Sequence, residues 1–120
     1  MARILVIDDD PGVRDILNQM LVRLGHDCET APDGKEGMRI FRNNPAELVI
    51  TDILMPEKEG IETILELRRE FPDVKIVAIS GGGAVGPEIY LTMAKELGAD
   101  RTLSKPFNLR ELSDLLSDLL

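Results

Sequence analysis

The sequence predicts an α/β fold: a doubly wound parallel sheet of five strands with helices on both faces, in a (βα)5 arrangement. Short apolar runs with the composition of β-strands alternate five times with segments in which apolar residues recur every three or four positions. Such alternation is typical of a parallel sheet, because each helix returns the chain to the same edge. The first, third and fourth runs are nearly all apolar, which predicts strands covered on both faces.

The strand candidates are short and follow one another at the spacing that a helical connection needs. They are Ile4–Ile7, Cys28–Ala31, Leu48–Thr51, Lys75–Ile79 and Thr102–Ser104.

The helix candidates each carry an apolar stripe at helical period. Asp10 and Pro11 suit the N-cap and first position of the first helix, and Gly25 suits its end. Asn108 is a candidate N-cap for the fifth helix. The five stripes are Val13, Ile16, Leu17, Met20, Leu21 and Leu24; Met38, Ile40 and Phe41 before Pro45; Ile61, Ile64, Leu65 and Leu67 before Pro72; Ile89, Met93, Ala94 and Leu97 before Gly98; and Leu109, Leu112, Leu115, Leu116 and Leu119.

Length, net charge and cysteine content limit the kinds of protein that this chain can be. The 120 residues predict one domain spanning 1–120, and the net charge of −8 argues against direct binding of nucleic acid or an anionic membrane surface. No apolar stretch approaches the ~20 residues needed to span a bilayer. The single cysteine, Cys28, excludes an internal disulfide and is expected to be a buried structural thiol. We therefore expect a cytoplasmic protein.

Charged residues follow three of the predicted strands at the point where each strand ends. Asp8 and Asp9 follow the first, Asp52 the third and Lys105 the fifth. Because the carboxyl ends of parallel strands meet at one edge of the sheet, these side chains should converge there. Clustered carboxylates suit Mg²⁺, and a neighbouring lysine suits a phosphoryl group. The sequence therefore predicts Mg²⁺-dependent phosphoryl chemistry.

The acidic residues differ in what they predict. Asp10 before Pro11 is interpreted as a helix cap, whereas the adjacent Asp8 and Asp9 would repel each other unless they share a cation. Asp52 precedes a loop, where catalytic groups often lie, and a carboxylate can form an acyl phosphate. Ser80, at the end of the fourth strand, could donate a hydrogen bond to a phosphoryl oxygen.

Taken in order, these residues resemble the receiver domain of two-component response regulators over the whole chain. The matching segments are Val6-Ile7-Asp8-Asp9-Asp10-Pro11, Asp52-Ile53-Leu54-Met55-Pro56 with Gly60, Ser80-Gly81, Gly98-Ala99-Asp100 and Lys105-Pro106-Phe107.

The resemblance implies a flavodoxin-like fold and a phosphorelay function. Asp52 would be the phosphoacceptor, taking its phosphoryl group from a phosphohistidine of a sensor histidine kinase or phosphotransfer protein. Ser80 and Lys105 would hold the phosphoryl oxygens, and the domain would hydrolyse its own acyl phosphate. Because the apolar Leu54 cannot position the attacking water, we expect this acyl phosphate to be long-lived. Phosphorylation would switch its conformation to control an output partner or a C-terminal effector domain, with homodimerisation left open.

The resemblance also assigns the metal ligands. Asp9, Asp52 and the backbone carbonyl of Leu54 would bind Mg²⁺ directly, and Asp8 would act mostly through a bound water.

Two departures from the family pattern concern signal output. The family usually has an aromatic residue three positions before the lysine, where this chain has Thr102, and Tyr90 is a candidate substitute. The segment from Ser80 to Lys105 is about three residues longer than usual, with the excess in a glycine-rich stretch at 81–86 that we expect to be a mobile loop.

Three other functions remain as alternatives. A degenerate receiver would act as a phosphorylation-independent interaction module. Gly81, Gly83 and Gly86 match a dinucleotide-binding pattern, although in the fourth βα unit rather than the first. A dehalogenase-like phosphatase would use Asp8, rather than Asp52, as its nucleophile.

Overall fold

Five strands alternate with five helices along the chain, as predicted. The computed structural model describes residues 2–53, 59–80 and 87–120, with 59 and 87–91 described by their backbone alone. No helix in these ranges is long and apolar enough to cross a bilayer. The elements are β1 (Arg3–Ile7), α1 (Pro11–Arg23), β2 (Asp27–Ala31), α2 (Gly34–Asn43), β3 (Leu48–Asp52), α3 (Glu59–Glu70), β4 (Lys75–Ser80), α4 (Pro87–Leu97), β5 (Arg101–Ser104) and α5 (Leu109–Leu119).

The strands form one parallel sheet in the order β2-β1-β3-β4-β5. The three nearly apolar runs are the three central strands, which confirms the doubly wound fold. The register places Asp52 of β3 opposite Ile79 of β4, and Ser80 opposite Ser104 of β5. The carboxyl ends of four neighbouring strands therefore lie close together at one edge.

Side chains alternate between two cores, one on each face of the sheet. Leu5 and Ile7 of β1 belong to the core covered by α2, α3 and α4, which includes Phe41 and Leu67. Ile4 and Val6 of the same strand belong to the other core. That core is covered by α1 and α5 through buried side chains: Leu17, Leu21, Leu112, Leu115 and Leu116.

Three large apolar residues counted in the stripes are exposed rather than buried. Ile16, Leu65 and Met93 are 53%, 45% and 42% exposed. A helix lying on a sheet buries a narrower stripe than its apolar pattern suggests, because only the side chains aimed at the strands are covered. The stripes therefore mark the helices correctly, while these three side chains lie at their solvent-facing margins.

Helix ends follow their local sequence signals. Asp10 caps α1 by accepting a hydrogen bond from the Gly12 N–H, and Asn108 forms a capping box with Glu111 at the start of α5. Gly25, with φ of 90°, follows the end of α1 in a conformation that glycine adopts without strain. The two N-caps therefore fix where the loops after β1 and β5, at the carboxyl edge of the sheet, end and their helices begin.

Candidate active site

Four neighbouring strands each deliver one polar group to the same edge. Asp8 follows β1, Asp52 ends β3, Ser80 ends β4 and Lys105 follows β5. Asp8 and Ser80 are fully buried, and Asp52 is 5% exposed. Polar residues are seldom buried to this extent unless they are paired or serve a site.

Lys105 brings two of the acids together. Its Nζ atom lies 3.0 Å from Asp8 Oδ2 and 3.2 Å from Asp52 Oδ2. Its backbone N–H donates to the Ser80 carbonyl over 2.8 Å, and the peptide bond from Lys105 to Pro106 is cis. Burial alone would lower the pKa of Lys105, but the charges of Asp52 and Asp8 outweigh that effect and leave the pKa raised. Lys105 is therefore a cation in this site.

Asp8 is held at both carboxylate oxygens. Oδ1 accepts the Asp10 backbone N–H over 2.9 Å, while Oδ2 faces Lys105. Burial raises the pKa of Asp8, and the charge of Asp52 raises it further, against the lowering effect of the two hydrogen bonds. The site thus holds a carboxylate whose charge needs more compensation than its neighbours supply.

The third acid completes a cluster suited to a cation. Carboxylate oxygens of Asp8, Asp9 and Asp52 all lie within 4.8 Å of one another, and Asp9 is exposed at the mouth of the cluster. Lys105 contributes one positive charge against three carboxylates. The remaining two negative charges and the all-oxygen donor set fit a divalent cation such as Mg²⁺.

Two residues that shape the site, Arg14 and Gly60, were not assigned a role from the sequence. Arg14 Nη1 donates to the Asp8 carbonyl over 2.7 Å. A Cβ atom on Gly60 would lie only 2.2 Å from the Asp52 carbonyl oxygen, so α3 approaches the end of β3 more closely than any other residue type allows. A signal for Arg14 did exist, since a cation in the first turns of a helix opposes the helix dipole and suggests a nearby acceptor.

Some predicted groups lie outside the described residues. These are the Leu54 carbonyl, the glycine-rich stretch 81–86 and the side chain of Tyr90. Thr102 is half-buried and lies opposite Ala78 in the pairing of β4 with β5.

Comparisons with known proteins identify a family. A family model for the response regulator receiver domain matches residues 4–117. The DNA-binding transcriptional regulator NtrC of Azospirillum brasilense is 35% identical over 119 residues, which are 99% of this chain and 24% of NtrC. The transcriptional regulatory protein CpxR homolog of Haemophilus influenzae is 38% identical over 112 residues, which are 93% of this chain and 47% of the homolog. The chain thus spans about a quarter to a half of these curated relatives.

Solved structures agree. The response regulator TrrA of Thermotoga maritima, in complex with Mg²⁺-BeF, is 34% identical with a TM-score of 0.88 and 100% coverage of both chains. The chemotaxis protein CheY4 of Vibrio cholerae is 29% identical with a TM-score of 0.88, covering 100% of this chain and 99% of CheY4. With its sheet order and its acidic edge, the chain therefore belongs to the receiver domains of response regulators in two-component signalling.

Proposed function

We propose that Asp52 accepts a phosphoryl group in a Mg²⁺-dependent reaction, and that its phosphorylation state is the signal the domain transmits. One observation carries the proposal. The buried Asp52 carboxylate lies 3.2 Å from the Lys105 ammonium, within a cluster that includes the carboxylates of Asp8 and Asp9. Groups suited to act as a nucleophile, as a cation for phosphoryl oxygens and as metal ligands thus lie together, which supports the proposal.

The proposed reaction is a transfer between two nucleophiles. A carboxylate oxygen of Asp52 attacks phosphorus, the phosphorus–nitrogen bond of a phosphohistidine breaks, and the imidazole leaves with its electron pair and takes up a proton. Lys105 then exchanges its contact with Asp8 for a contact with a phosphoryl oxygen. The Asp8 oxygen and the phosphoryl oxygen are both anionic, and the Lys105 ammonium group can reach either. Ser80, one residue past the position opposite Asp52, would donate its hydroxyl hydrogen to another phosphoryl oxygen.

Mg²⁺ would be held by Asp8, Asp9 and Asp52, and when bound it neutralises the oxygens that crowd together during transfer. The donor set supports this assignment, because three carboxylates with one lysine leave an excess of two negative charges. Removal of Mg²⁺ should therefore stop phosphorylation while leaving the fold intact.

A recess beside Lys105 supports a protein, rather than a metabolite, as the phosphoryl donor. The recess has a volume of about 230 Å³ and a mostly apolar lining from Val13, Ile16, Pro106 and Phe107. Ile16 is 53% exposed there, although it is an apolar residue. A small, charged phosphodonor makes no use of such a surface, whereas a sensor histidine kinase or phosphotransfer protein can cover it.

The output is proposed from the relatives and from the position of Lys105. NtrC and the CpxR homolog are named as transcriptional regulators, which favours an effector domain or partner that controls transcription. We infer that this partner reads the surface formed by α4, β5 and α5, because Lys105 follows β5 directly. Exposed charged residues on this surface include Lys95, Glu96, Arg101, Arg110 and Glu111.

The test is the intact mass of the protein after incubation with acetyl phosphate, with and without Mg²⁺, followed by mapping of the modified residue. We expect one added phosphoryl group on Asp52, only with Mg²⁺ and not in Asp52→Asn. Asp73→Asn, which changes an exposed aspartate in the loop before β4, should be modified as well as wild type. Modification of Asp8 instead would overturn the assignment. No modification with this donor or a phosphorylated histidine kinase would favour the phosphorylation-independent interaction module.

A further inference from the structure

The loop between β1 and α1 carries two of the three proposed metal ligands but holds them differently. The Asp8 carboxylate is fixed by the Asp10 N–H and by Lys105. In the described part of the chain, the Asp9 carboxylate has no hydrogen-bond or ion-pair partner, and Asp9 is exposed. Among the contacts of the described residues, those of the loop backbone therefore constrain where the Asp9 carboxylate can lie.

Arg14 holds that backbone. Its Nη1 atom donates to the Asp8 carbonyl over 2.7 Å, and the side chain is half-buried. This carbonyl belongs to the planar peptide unit that joins Asp8 to Asp9. With this carbonyl held by Arg14 and the Asp10 N–H held by Asp8 Oδ1, both peptide units that flank Asp9 are fixed, and with them the direction of its Cα–Cβ bond.

The position of Arg14 favours a dedicated role. Arg14 is the fourth residue of α1, near the positive end of the helix dipole, where a cation is unfavourable. Guanidinium keeps its charge at every physiological pH and forms stronger hydrogen bonds to a carbonyl than a neutral donor does. An unfavourable location is thus offset by a strong bond to the one peptide unit between two proposed ligands.

We propose that Arg14 is a positioning residue for the metal site, which aims the Asp9 carboxylate at the cation by holding the Asp8–Asp9 peptide unit. This inference rests on the proposed function, since it presupposes that Mg²⁺ binds to the acidic cluster. Arg14 itself does not touch the metal or the phosphoryl group.

The first test is the Mg²⁺ dissociation constant, measured from backbone amide NMR shifts, which also report whether each variant is folded. Arg14→Met keeps the aliphatic stem but loses every donor, and should weaken Mg²⁺ binding about tenfold, as loss of a residue that orients a metal ligand typically does. Arg14→Lys, which retains a charged donor, should recover most of the affinity. Arg23→Met removes an equal charge from the exposed last turn of α1 and should leave the affinity unchanged.

The phosphorylation kinetics separate positioning from general damage. In Arg14→Met, the Mg²⁺ concentration for half-maximal rate should rise about tenfold with the dissociation constant. The rate at saturating Mg²⁺ should stay close to that of wild type, because Asp52 and Lys105 are unchanged. A large loss of the saturating rate with an unchanged half-maximal concentration would overturn the inference.

A double-mutant cycle tests the route through Asp9. In an Asp9→Asn background, Arg14→Met should change the Mg²⁺ dissociation constant by less than about twofold, because position 9 no longer has a carboxylate for Arg14 to orient. An equal loss in both backgrounds, or no loss in either, would contradict the proposal while leaving Mg²⁺ binding by wild type intact. If wild type binds no Mg²⁺, the proposed function fails, and this inference fails with it.

Discussion

At the scale of single residues, Lys105 supplies the positive charge that keeps two buried carboxylates close together. Its side chain is 21% exposed, and those of Asp8 and Asp52 are 0% and 6% exposed. Removing one partner of a buried ion pair is far more destabilising than replacing all the partners, because the remaining charges lose their compensation. In the metal-free protein, the site should therefore be a point of weakness that depends on Lys105.

The variant Lys105→Met tests this dependence. We expect its free energy of unfolding in EDTA to fall by about 2–3 kcal/mol, because two neighbouring carboxylates lose their cation. Mg²⁺ should restore more stability to the variant than it adds to wild type, since it no longer competes with the ammonium. Urea unfolding with and without Mg²⁺ measures both effects. Lys75→Met, at the exposed start of β4, is the control, and equal stability of Lys105→Met and wild type in EDTA would refute the expectation.

Cys28 provides a prediction of pH dependence. The thiol is half-buried rather than buried as expected, and it donates a weak hydrogen bond to the Glu29 carbonyl. Burial, followed by the charge of Glu29, raises the pKa of Cys28 from 9.0 to about 11. Because the thiolate is the reactive form, alkylation of the native protein at pH 8 should be roughly a hundredfold slower than alkylation of the unfolded chain.

The sign of the stability effect follows from proton binding. Between about pH 9 and 11 the folded protein retains the Cys28 proton that the unfolded chain loses, so stability decreases as pH rises through this window. Cys28→Ser should remove this contribution to the slope of unfolding free energy against pH. The same slope in wild type and variant would show that the thiol is not the group responsible.

At the scale of elements, Arg68 connects the end of α3 to the loop before β4 and to the loop that follows the carboxyl end of α4. Its guanidinium donates to the carbonyls of Pro72, Val74 and Gly98, and it pairs with Asp100 at 2.9 Å. Asp100 in turn accepts the Ile76 N–H over 2.8 Å. One side chain thus satisfies acceptors from two separate loops at the amino edge of the sheet, the loop before β4 and the loop before β5.

Substitution of Arg68 should therefore lower the stability of the protein considerably, although Arg68 is not a core residue. We expect Arg68→Ala to lower the free energy of unfolding by about 2–3 kcal/mol, because several charge-assisted hydrogen bonds are lost together. Arg68→Lys should recover little, since a single ammonium cannot reach all of the acceptors. The neighbouring Arg69→Ala, at an exposed position, is the control and should change stability by less than about 0.5 kcal/mol. Unchanged stability of Arg68→Ala, measured by chemical unfolding, would contradict this reading.

The helices and strands also show which features of the fold can be predicted from the sequence. Strand and helix positions were predictable because apolar period and caps such as Asp10 and Asn108 act locally. Convergence of Asp8, Asp52 and Lys105 was predictable because parallel strands share an edge. Contacts such as those of Arg68 were not predictable, because they depend on loop ends that only the assembled sheet brings together.

Within the site, the sequence indicated which residues meet but not which atoms touch. Lys105 and Asp8 are separated by 97 positions, and nothing local specifies a 3.0 Å contact between them. Likewise, the close approach of Gly60 to the Asp52 carbonyl is a property of how α3 packs on β3. Residue type and strand order predict a site's members, whereas its distances follow from tertiary packing.

At the scale of the whole molecule, the two outer strands of the sheet, β2 and β5, differ in their relation to the site. The outer strand β5 has four residues, pairs with β4 and leads directly into Lys105. Its buried Leu103 packs in the core with α5, so Thr102 faces the opposite side, toward α4. That side of the core has small residues, Ala78 and Ala94 among them. If Lys105 exchanges Asp8 for a phosphoryl oxygen, as proposed, we expect this short outer strand to shift with it.

Hydrogen–deuterium exchange on the whole domain tests where the signal travels. With Mg²⁺ and beryllium fluoride, a phosphoryl analogue, exchange should change across α4, β5 and the loop to α5, and stay unchanged in β2 at the opposite edge. Since Thr102 replaces the usual aromatic residue, we expect movement of the β5 backbone, rather than rotation of a ring, to carry the change. Thr102→Ala should then keep the response, and Asp52→Asn should lose it. If Thr102→Ala abolishes the response while the analogue still binds, the side chain of Thr102 is itself the relay, and transmission through the β5 backbone alone is wrong.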